Sequence, residues 1–426
     1  MKTKEYLSTF YKGTKGPTLD AIKYFMEELD HPEKSLKIIH VAGTNGKGSV
    51  CEMLSTVLEQ AGYKVGLFMS PHIVRFNERI RVNHQEILDE ELEELTSIME
   101  PIVTKYNQTH EVHVTLFEIE TAMALLYFVK NKCDIVVLET GLGGLVDCTN
   151  VVDPILSIIT SIGYDHMDIL GSTLEEIAIQ KAGIIKESSE TIFVEQEKSV
   201  NEIITRICKE KSNRLHLIKK DTWNNVALKG GVQVFDYKNY KQIGINLKGN
   251  KQVPNACIVL EALEVLQENG YEVSRKNIEE GLKTVVHKAR FEQIYKEPTI
   301  IFDGGHNEAA IKNLKETIEQ YYKNNDKIYI LSILKTKDYK TVIKELMEDN
   351  KSTFIFTDGT KEQDEVKCYV KKEDLYKEAI QYRKENIFMD SLENALSKCK
   401  TDYRDKTIFV IGSFYTYSEV IENLNM

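Results

Sequence analysis

The chain has 426 residues, a formal net charge of −11 and 42 % hydrophobic residues. At about 150 residues per domain this length predicts two or three domains, and the composition excludes a disordered or collagen-like chain. The negative charge argues against nucleic acid and anionic membranes as partners, so any phosphate binding must come from a local site.

Since no apolar run is long enough for a membrane span or a signal peptide, we expect a cytoplasmic protein. The seven cysteines contain no CxxC pair, which argues against a disulfide framework and a zinc ribbon.

The first 200 residues alternate between short apolar runs and helical patterns. Buried strands are predicted at residues 37–43, 65–70, 134–140 and 155–160. Helices are predicted after residue 50, where apolar residues recur on one face, and at residues 118–130. This alternation predicts a doubly wound, mostly parallel sheet covered by helices.

The second half of the chain contains a small β-rich insertion and a second β/α series. The insertion is predicted at residues 214–248, and a helix at 255–267 returns the chain to the first domain. The strands of the second series are predicted at residues 299–303, 327–333, 353–357, 386–389 and 407–412. We therefore predict an α/β chain with a first domain at residues 1–295 and a Rossmann-like second domain at residues 296–426.

A glycine-rich loop, GTNGKGS at residues 43–49, lies between the first strand and the helix after it. Glycines allow backbone N–H groups to approach phosphate oxygens, and the helix N-terminus adds partial positive charge. Lys47 is placed to neutralise phosphate charge, and the Ser49 hydroxyl to face Mg²⁺. The loop departs from the common GxxxxGK[ST] spacing because a glycine separates Lys47 from Ser49. It predicts a nucleotide-phosphate site.

Three residues further along are candidates for the same site. Glu139 ends an apolar strand, and ligands of open α/β sheets bind beyond the carboxyl ends of strands, so Glu139 is placed to reach Mg²⁺. His166 follows the next strand and is compatible with a metal ligand, a phosphate contact or a structural histidine. Lys181 lies in an apolar helical setting, where a lone lysine is usually solvated.

The second domain offers a matching set of residues at the start of its sheet. Arg290 precedes the first strand, and Asp303 and His306 follow it in the turn DGGHN. A glycine-rich turn with an acid and a histidine at a strand end suits nucleotide binding, although such a turn is also a common structural element.

Taken together, the motifs resemble a known family. GTNGKGS, SPH with RFNERIRV, TLFE, ETGLGGLVDCTN, DHMDILGSTLEEIA, QKAGIIK, ARFE, DGGHN and IGSFY occur in this order between residues 40 and 415. Their order resembles the folylpolyglutamate synthase and dihydrofolate synthase branch of the Mur ligases. The resemblance implies an ATPase domain and a smaller Rossmann-like domain. It also implies ATP-dependent addition of L-glutamate to the carboxylate of a reduced folate or of dihydropteroate, through an acyl phosphate.

The resemblance also implies roles for individual residues. The ATP-binding residues would be Gly43, Thr44, Asn45, Gly46, Lys47, Gly48, Ser49, Asn255, Arg290, Asp303 and His306. Two Mg²⁺ sites are expected, with ligands among Ser49, Ser70, Glu139 and His166. Lys47, His166 and Lys181 would be catalytic, and Lys181 would be carbamylated. The folate-binding residues would be Thr115, Phe117, Val146, Asp147 and Cys148.

Two alternatives stay open from the sequence: a Mur-type ligase acting on another carboxylate, and a P-loop ATPase switch without ligase activity. The stretch at residues 16–22 departs from the pattern of family members that also bind dihydropteroate, so polyglutamylation is the firmer expectation. The apolar face that follows, from Leu19 to Leu29, is predicted to pack in the core. The resemblance makes a monomer the default expectation.

Overall fold

The chain folds into two compact units in the computed structural model, which describes residues 3–10, 18–359 and 368–425. The first unit comprises Met1–Asn246 and Lys251–Val285, and the second comprises Leu247–Asn250 and Val286–Met426. No helix within the described ranges has both the length and the apolar character needed to cross a membrane.

The first unit is built on an eight-stranded sheet and a separate three-stranded sheet. Its elements in chain order are α1 (Thr3–Ser8), α2 (Asp20–Glu28), β1 (Ile38–Ala42), α3 (Lys47–Gln60), β2 (Val65–Phe68), β3 (Ile80–Val82), β4 (Gln85–Glu86), α4 (Asp89–Thr109), α5 (Leu116–Lys130), β5 (Ile135–Glu139), β6 (Leu156–Ile159), α6 (Met167–Leu170), α7 (Leu174–Ala182), β7 (Glu190–Val194), α8 (Lys198–Glu210), β8 (Arg214–Ile218), β9 (Trp223–Lys229), β10 (Val232–Tyr237), β11 (Tyr240–Ile245), α9 (Gln252–Glu268) and α10 (Arg275–Thr284).

The large sheet has the order β4-β3-β2-β5-β1-β6-β7-β8. Strands β2, β5, β1, β6, β7 and β8 are parallel, and β3 and β4 extend the sheet by antiparallel pairing. Every residue of β1, β5 and β6 is buried, as expected for central parallel strands covered on both faces. This order brings the carboxyl ends of β1, β5 and β6 side by side.

The N-terminal helix α2 packs into the core of the first unit. Ile22, Phe25 and Met26 are buried there, and Leu19 and Leu29 pack against the same cluster. The predicted core role of this apolar face is confirmed. Residues 11–17, which include the start of the unusual stretch at 16–22, lie outside the described residues.

The three-stranded sheet, β9 to β11, is held to the rest of the first unit by an ion-pair network. The Tyr237 hydroxyl donates to Glu261 Oε2 on α9 at 2.6 Å, and Lys238 Nζ lies 2.6 Å from the same oxygen. His216 on β8 lies between Glu261 and Glu190, at 3.4 and 2.7 Å. Burial opposes ionisation of Glu261, but hydrogen bonds from His216, Lys238 and Tyr237 lower its pKa to about 2.

The β-rich insertion is shorter than the predicted range 214–248, because β8 belongs to the large parallel sheet.

The second unit is a six-stranded sheet with helices packed on it. Its elements are β12 (Glu292–Tyr295), β13 (Thr299–Asp303), α11 (Glu308–Tyr322), β14 (Lys327–Leu331), α12 (Tyr339–Met347), β15 (Thr353–Phe356), α13 (Lys372–Ala379), β16 (Ile387–Met389), α14 (Leu392–Thr401), β17 (Thr407–Ile411) and α15 (Tyr417–Asn425). The order is β12-β13-β17-β14-β15-β16, and all strands except β12 are parallel. A mixed α/β chain with a mostly parallel first sheet and a Rossmann-like second unit confirms the predicted fold class.

The second unit begins before residue 295, where the sequence boundary was placed. Strand β12 pairs antiparallel with β13, and residues from Val286 onward belong to this unit. The short segment Leu247–Asn250 also belongs to it, and Lys248 Nζ in that segment donates to the Tyr322 hydroxyl of α11 at 3.3 Å. The functional assignment of the two domains stays a prediction.

Candidate active site

The glycine-rich loop joins the buried end of β1 to the first turn of α3. A Cβ atom at Gly43 would lie 1.8 Å from the Thr160 Oγ1 atom, so only glycine fits there. Gly46 is the N-cap of α3 with φ 94°, a left-handed conformation that favours glycine. Because α3 starts at Lys47, the first N–H groups of the helix have no partner within it and are suited to bind an anion.

The loop is fixed by the segment that follows β6. The Thr44 amide donates to the Ser161 carbonyl at 2.6 Å, and the Asn45 amide donates to the Ser161 hydroxyl at 3.2 Å. In return, the Thr160 hydroxyl donates to the Asn45 carbonyl at 2.9 Å. These reciprocal bonds tie the loop backbone to the segment after β6.

Two lysine ammonium groups converge on one backbone carbonyl of this loop. Lys47 Nζ lies 3.1 Å and Lys181 Nζ 2.9 Å from the Gly43 carbonyl oxygen. Lys181 lies on α7 with only 3 % of its surface exposed, which corrects the expectation of a solvated helix lysine. Burial, and then the charge of Lys47, lower the pKa of Lys181 to about 7. A large fraction of Lys181 is therefore a neutral, nucleophilic amine near neutral pH.

Helix α9 contributes two amide side chains to the loop. Gln252 Nε2 donates to the Ser49 hydroxyl at 3.3 Å, and Asn255 Nδ2 donates to Gln252 Oε1 at 3.1 Å. Asn255 also lies against the loop, since a Cβ atom at Gly46 would come within 2.7 Å of its Oδ1 atom. The predicted nucleotide-binding residue Asn255 thus lies beside the glycine-rich loop, and Gln252 is an additional neighbour.

Glu139 ends β5 beside β1 and is almost fully buried. Its Oε2 atom accepts a hydrogen bond from the Ser70 amide at 3.2 Å, which brings two of the predicted metal ligands together. Among the described residues, no group of three or more His, Cys, Asp and Glu side chains is arranged to hold a metal ion. The predicted set instead combines the Glu139 carboxylate with serine hydroxyls, and such hard oxygen donors fit Mg²⁺.

His166 is an exposed side chain, in contrast to the buried Glu139. It is the left-handed N-cap of the short helix α6, with φ 46°, and its Nε2 atom is 3.8 Å from Asp165 Oδ1. Its predicted roles in metal binding and catalysis stay predictions.

The two predicted folate-binding segments are neighbours in the fold. The Phe117 ring lies against Gly141, where an added Cβ atom would be 2.4 Å from its Cζ atom. Thr115 and Asp147 also have structural roles: Thr115 caps α5, and the Asp147 carboxylate accepts from the Leu142 and Thr149 amides at 2.7 and 3.0 Å. Burial raises the pKa of Asp147, and these N–H donors oppose that shift.

Val146 and Cys148 flank Asp147 in the same segment. Val146 is partly exposed, and Cys148 is buried in the core cluster of the first unit. Folate binding by both segments stays a prediction.

The second unit brings its three predicted nucleotide-binding residues together. The half-buried Asp303 carboxylate accepts from the Phe291 and Gly305 amides at 2.9 and 2.8 Å. Burial raises the pKa of Asp303, and the Arg290 charge opposes this shift. His306 is held through its Nδ1 atom, 3.0 Å from the Gly304 carbonyl oxygen.

The Arg290 backbone is held in an unusual bend. The residues on either side of it, Ala289 and Phe291, have φ of 57° and 45°. Positive φ is rare for residues other than glycine and is concentrated at functional sites.

Comparisons with known proteins identify the family. Residues 41–263 match the Mur ligase middle domain, and residues 287–423 match the dihydrofolate synthetase C-terminal domain. A dihydrofolate synthase/folylpolyglutamate synthase of Bacillus subtilis is 41 % identical over 338 residues, 78 % of each chain. The chain belongs to the Mur ligase family, in its folylpolyglutamate and dihydrofolate synthase branch.

Solved structures extend this similarity to the whole of the Mur ligase chain. A folylpolyglutamate synthase from Thermotoga maritima has a TM-score of 0.87 at 30 % identity, covering 100 % of this chain and 97 % of that one. An Escherichia coli protein solved in complex with DHPP and ADP has a TM-score of 0.82 at 27 % identity, covering 100 % and 98 %. Mur ligases of this branch are ATP-dependent ligases, so the predicted family and enzyme class are confirmed.

Three residues that contact the predicted site of this Mur ligase were missed by the sequence analysis. Gln252 contacts Ser49, Thr160 supports the loop, and Phe414 lies against Arg290. Phe414 lies in the IGSFY motif that the family resemblance already contained, and Gln252 lies outside the quoted motifs; only the fold shows which residues the two contact.

Proposed function

We propose that this chain joins L-glutamate to the carboxylate of a folate at the expense of ATP, by way of an acyl phosphate. The observation that carries the proposal is the convergence of Lys47 and the buried Lys181 on the Gly43 carbonyl of the phosphate loop. The family similarity over nearly the whole chain supports the reaction class.

The phosphate groups of ATP bind at the glycine-rich loop. Its backbone N–H groups and the N-terminus of α3 supply donors, and Lys47 supplies positive charge. This preorganised charge stabilises the phosphoryl group as it moves to the folate carboxylate and ADP leaves. The glutamate amine then attacks the acyl carbon, and phosphate departs as the amide forms.

Ser49, Ser70, Glu139 and His166 are the proposed Mg²⁺ ligands, in two sites. When bound, the metal would neutralise phosphate charge. The chain's own contribution is to hold the Glu139 carboxylate and the Ser70 segment together at the end of β5.

Lys181 is proposed to carry a carbamate. Its neutral Nζ atom attacks the carbon of CO₂, a C=O π pair moves to oxygen and the nitrogen loses a proton, so that the neutral amine becomes an anionic carbamate with oxygen donors. The lowered pKa, about 7, provides the neutral amine that this addition needs.

The remaining residues are proposed to bind the other parts of the substrates. Arg290, Asp303 and His306 bind nucleotide, and the two segments around Phe117 and Asp147 form the pterin slot. The protein is proposed to work as a cytoplasmic monomer on small-molecule substrates.

Substitution of Lys47 and His166 tests the proposed site. We expect Lys47→Ala and His166→Ala each to abolish glutamate-dependent phosphate release while the thermal unfolding transition stays that of the wild type. Lys198→Ala is the matched control, since its side chain is 91 % exposed on α8, and it should retain full activity. Near-normal turnover by either site variant would refute the role assigned to that residue.

A further inference from the structure

Phe414 follows β17 in the second unit and contacts two of the predicted nucleotide-binding residues. The Arg290 guanidinium carbon lies over its ring, 4.5 Å from the ring centre. The His306 ring meets it edge-on, with a centroid distance of 6.1 Å and an interplanar angle of 86°. One apolar side chain thus connects residues from both ends of the β12–β13 hairpin.

The DGGHN turn is shaped to admit this ring. A Cβ atom at Gly304 would lie 2.1 Å from the Phe414 Cε1 atom and 2.2 Å from Cδ1. Any side chain at position 304 would therefore displace the ring, which makes Gly304 and Phe414 mutually dependent.

Backbone hydrogen bonds fix the Arg290 main chain, and the Phe414 ring adds a contact to its side chain. The Phe291 amide donates to Asp303 Oδ2 at 2.9 Å, and the Gly304 amide donates to the Ala289 carbonyl at 2.9 Å. These bonds immobilise the bend on both sides of Arg290, while the long guanidinium arm keeps several rotatable bonds. A ring face attracts a guanidinium through its π electrons, so the Phe414 ring restricts the directions that the Arg290 side chain can take.

The segment that carries Phe414 is itself held rigidly. The buried Ser413 hydroxyl accepts from the Tyr415 amide at 3.3 Å. The Thr416 hydroxyl lies 2.7 Å from the Ser332 hydroxyl at the end of β14. The ring therefore has a fixed support at the carboxyl ends of the parallel strands.

We propose that Phe414 is a positioning residue that orients the Arg290 guanidinium for an anionic group of the nucleotide. This inference rests on the nucleotide-binding role proposed above for Arg290. The interaction is that of a cation with an aromatic face, so position 414 requires an aromatic ring and not merely an apolar side chain of similar volume.

The test compares Phe414→Leu with Phe414→Tyr, using the KM for ATP and the kcat of glutamate-dependent phosphate release. We expect Phe414→Leu to raise the KM for ATP about 3- to 30-fold, the range of cation–π energies, with the KM for glutamate unchanged. Phe414→Tyr keeps the ring and should stay within about twofold of the wild type. Phe388→Leu makes the same change at an exposed ring on the edge strand β16 and serves as the matched control.

The Arg290→Ala variant and the double variant separate this inference from the proposed function. If Phe414 acts through Arg290, Phe414→Leu adds no further loss in the Arg290→Ala background. A raised KM for ATP in Arg290→Ala, together with a normal KM in Phe414→Leu, would overturn the inference and leave the proposed function standing. An unchanged KM in Arg290→Ala would instead refute the nucleotide role of Arg290, and the inference with it.

A second variant and a binding measurement keep the inference testable if Phe414→Leu fails to fold. Gly304→Ala keeps the phenylalanine but pushes on its ring, and it should raise the KM for ATP in the same direction as Phe414→Leu. Calorimetric titration with ADP reports nucleotide affinity without turnover, and Phe414→Leu should weaken it by the same factor. Equal losses of ADP affinity in Phe414→Leu and Phe414→Tyr would contradict a role for the ring face.

Discussion

The surroundings of Lys181 favour a modified form of this lysine. It is buried against the loop carbonyl that also accepts from Lys47, and burial first, then the Lys47 charge, lower its pKa and disfavour its charged form. Burying a charged lysine ammonium beside a second cation costs free energy, whereas a carbamate on Lys181 would replace that ammonium by an anion.

Carboxylic acids should rescue a Lys181→Ala variant. We expect the substitution to lower kcat by about 10- to 100-fold, as loss of a group that orients a metal site does. Short-chain acids such as formate or acetate should restore part of the activity by supplying the missing carboxylate oxygens. Lys186→Ala is the matched control, because Lys186 is a half-buried lysine whose pKa is also lowered by burial, and the variant should show no acid-dependent gain.

The carbamate itself has a direct spectroscopic signature. Isotope-labelled bicarbonate should give a carbamate signal in NMR spectra of the wild type that is missing from Lys181→Ala. Failure of every acid to rescue, together with no such signal in the wild type, would contradict carbamylation.

Single residues differed in how far the sequence could predict their surroundings. The loop residues Gly43 to Ser49 were identified from their own spacing, because phosphate binding is a local property of a strand–turn–helix unit. Asn255 was singled out only by family resemblance, and for Lys181 the sequence pattern alone favoured a solvated side chain, since the approach of both residues to the loop comes from packing of distant segments. The contact of Phe414 with Arg290 joins residues over 100 positions apart, and no local pattern encodes it.

At the scale of elements, the loop between β1 and α3 is set by what packs against it. The Thr160 side chain after β6 leaves no room for a Cβ atom at Gly43, and Asn255 of α9 crowds Gly46 in the same way. The parallel order β5-β1-β6 is what brings these elements to the loop.

We therefore expect Gly43→Ala to weaken nucleotide binding, whereas an alanine at a glycine with free space around it should affect only stability. A Cβ atom 1.8 Å from Thr160 Oγ1 must shift the loop, and we expect the KM for ATP to rise about tenfold or more. Gly62, just after α3, has φ 92° with nothing within 4 Å of an added Cβ atom. Gly62→Ala should cost about 1 kcal/mol of stability and leave the KM for ATP unchanged. Equal effects of the two substitutions on that KM would refute the steric explanation.

The buried parallel strands were predicted well, because they are continuous apolar runs. Strands β1, β5, β6, β13 and β17 agree with the predicted runs to within one residue at each end. The antiparallel strands β3 and β12 were not predicted, since strands of only three or four residues that include polar ones carry little pattern of their own. Strand β8 was assigned to the insertion because its partner, β7, is more than 20 residues away.

At the scale of the whole molecule, the open question is which acceptor the enzyme uses. The Bacillus subtilis relative is named for both activities, and the Thermotoga maritima structure for polyglutamylation alone. The stretch at residues 16–22 is where the sequence predicts the difference to arise, and its first two residues lie outside the described residues.

The most direct measurement is ATP-dependent phosphate release with L-glutamate and either tetrahydrofolate or dihydropteroate as acceptor. We predict release with tetrahydrofolate only when ATP, glutamate and the folate are all present, because the acyl phosphate must be captured by the amine. Added turnover with dihydropteroate would make the enzyme bifunctional and show that residues 16–22 do not decide acceptor choice. Phosphate release that proceeds equally well without glutamate would indicate an ATPase switch, and no release with either acceptor would indicate another carboxylate substrate. Either of these two results would contradict a folate–glutamate ligase.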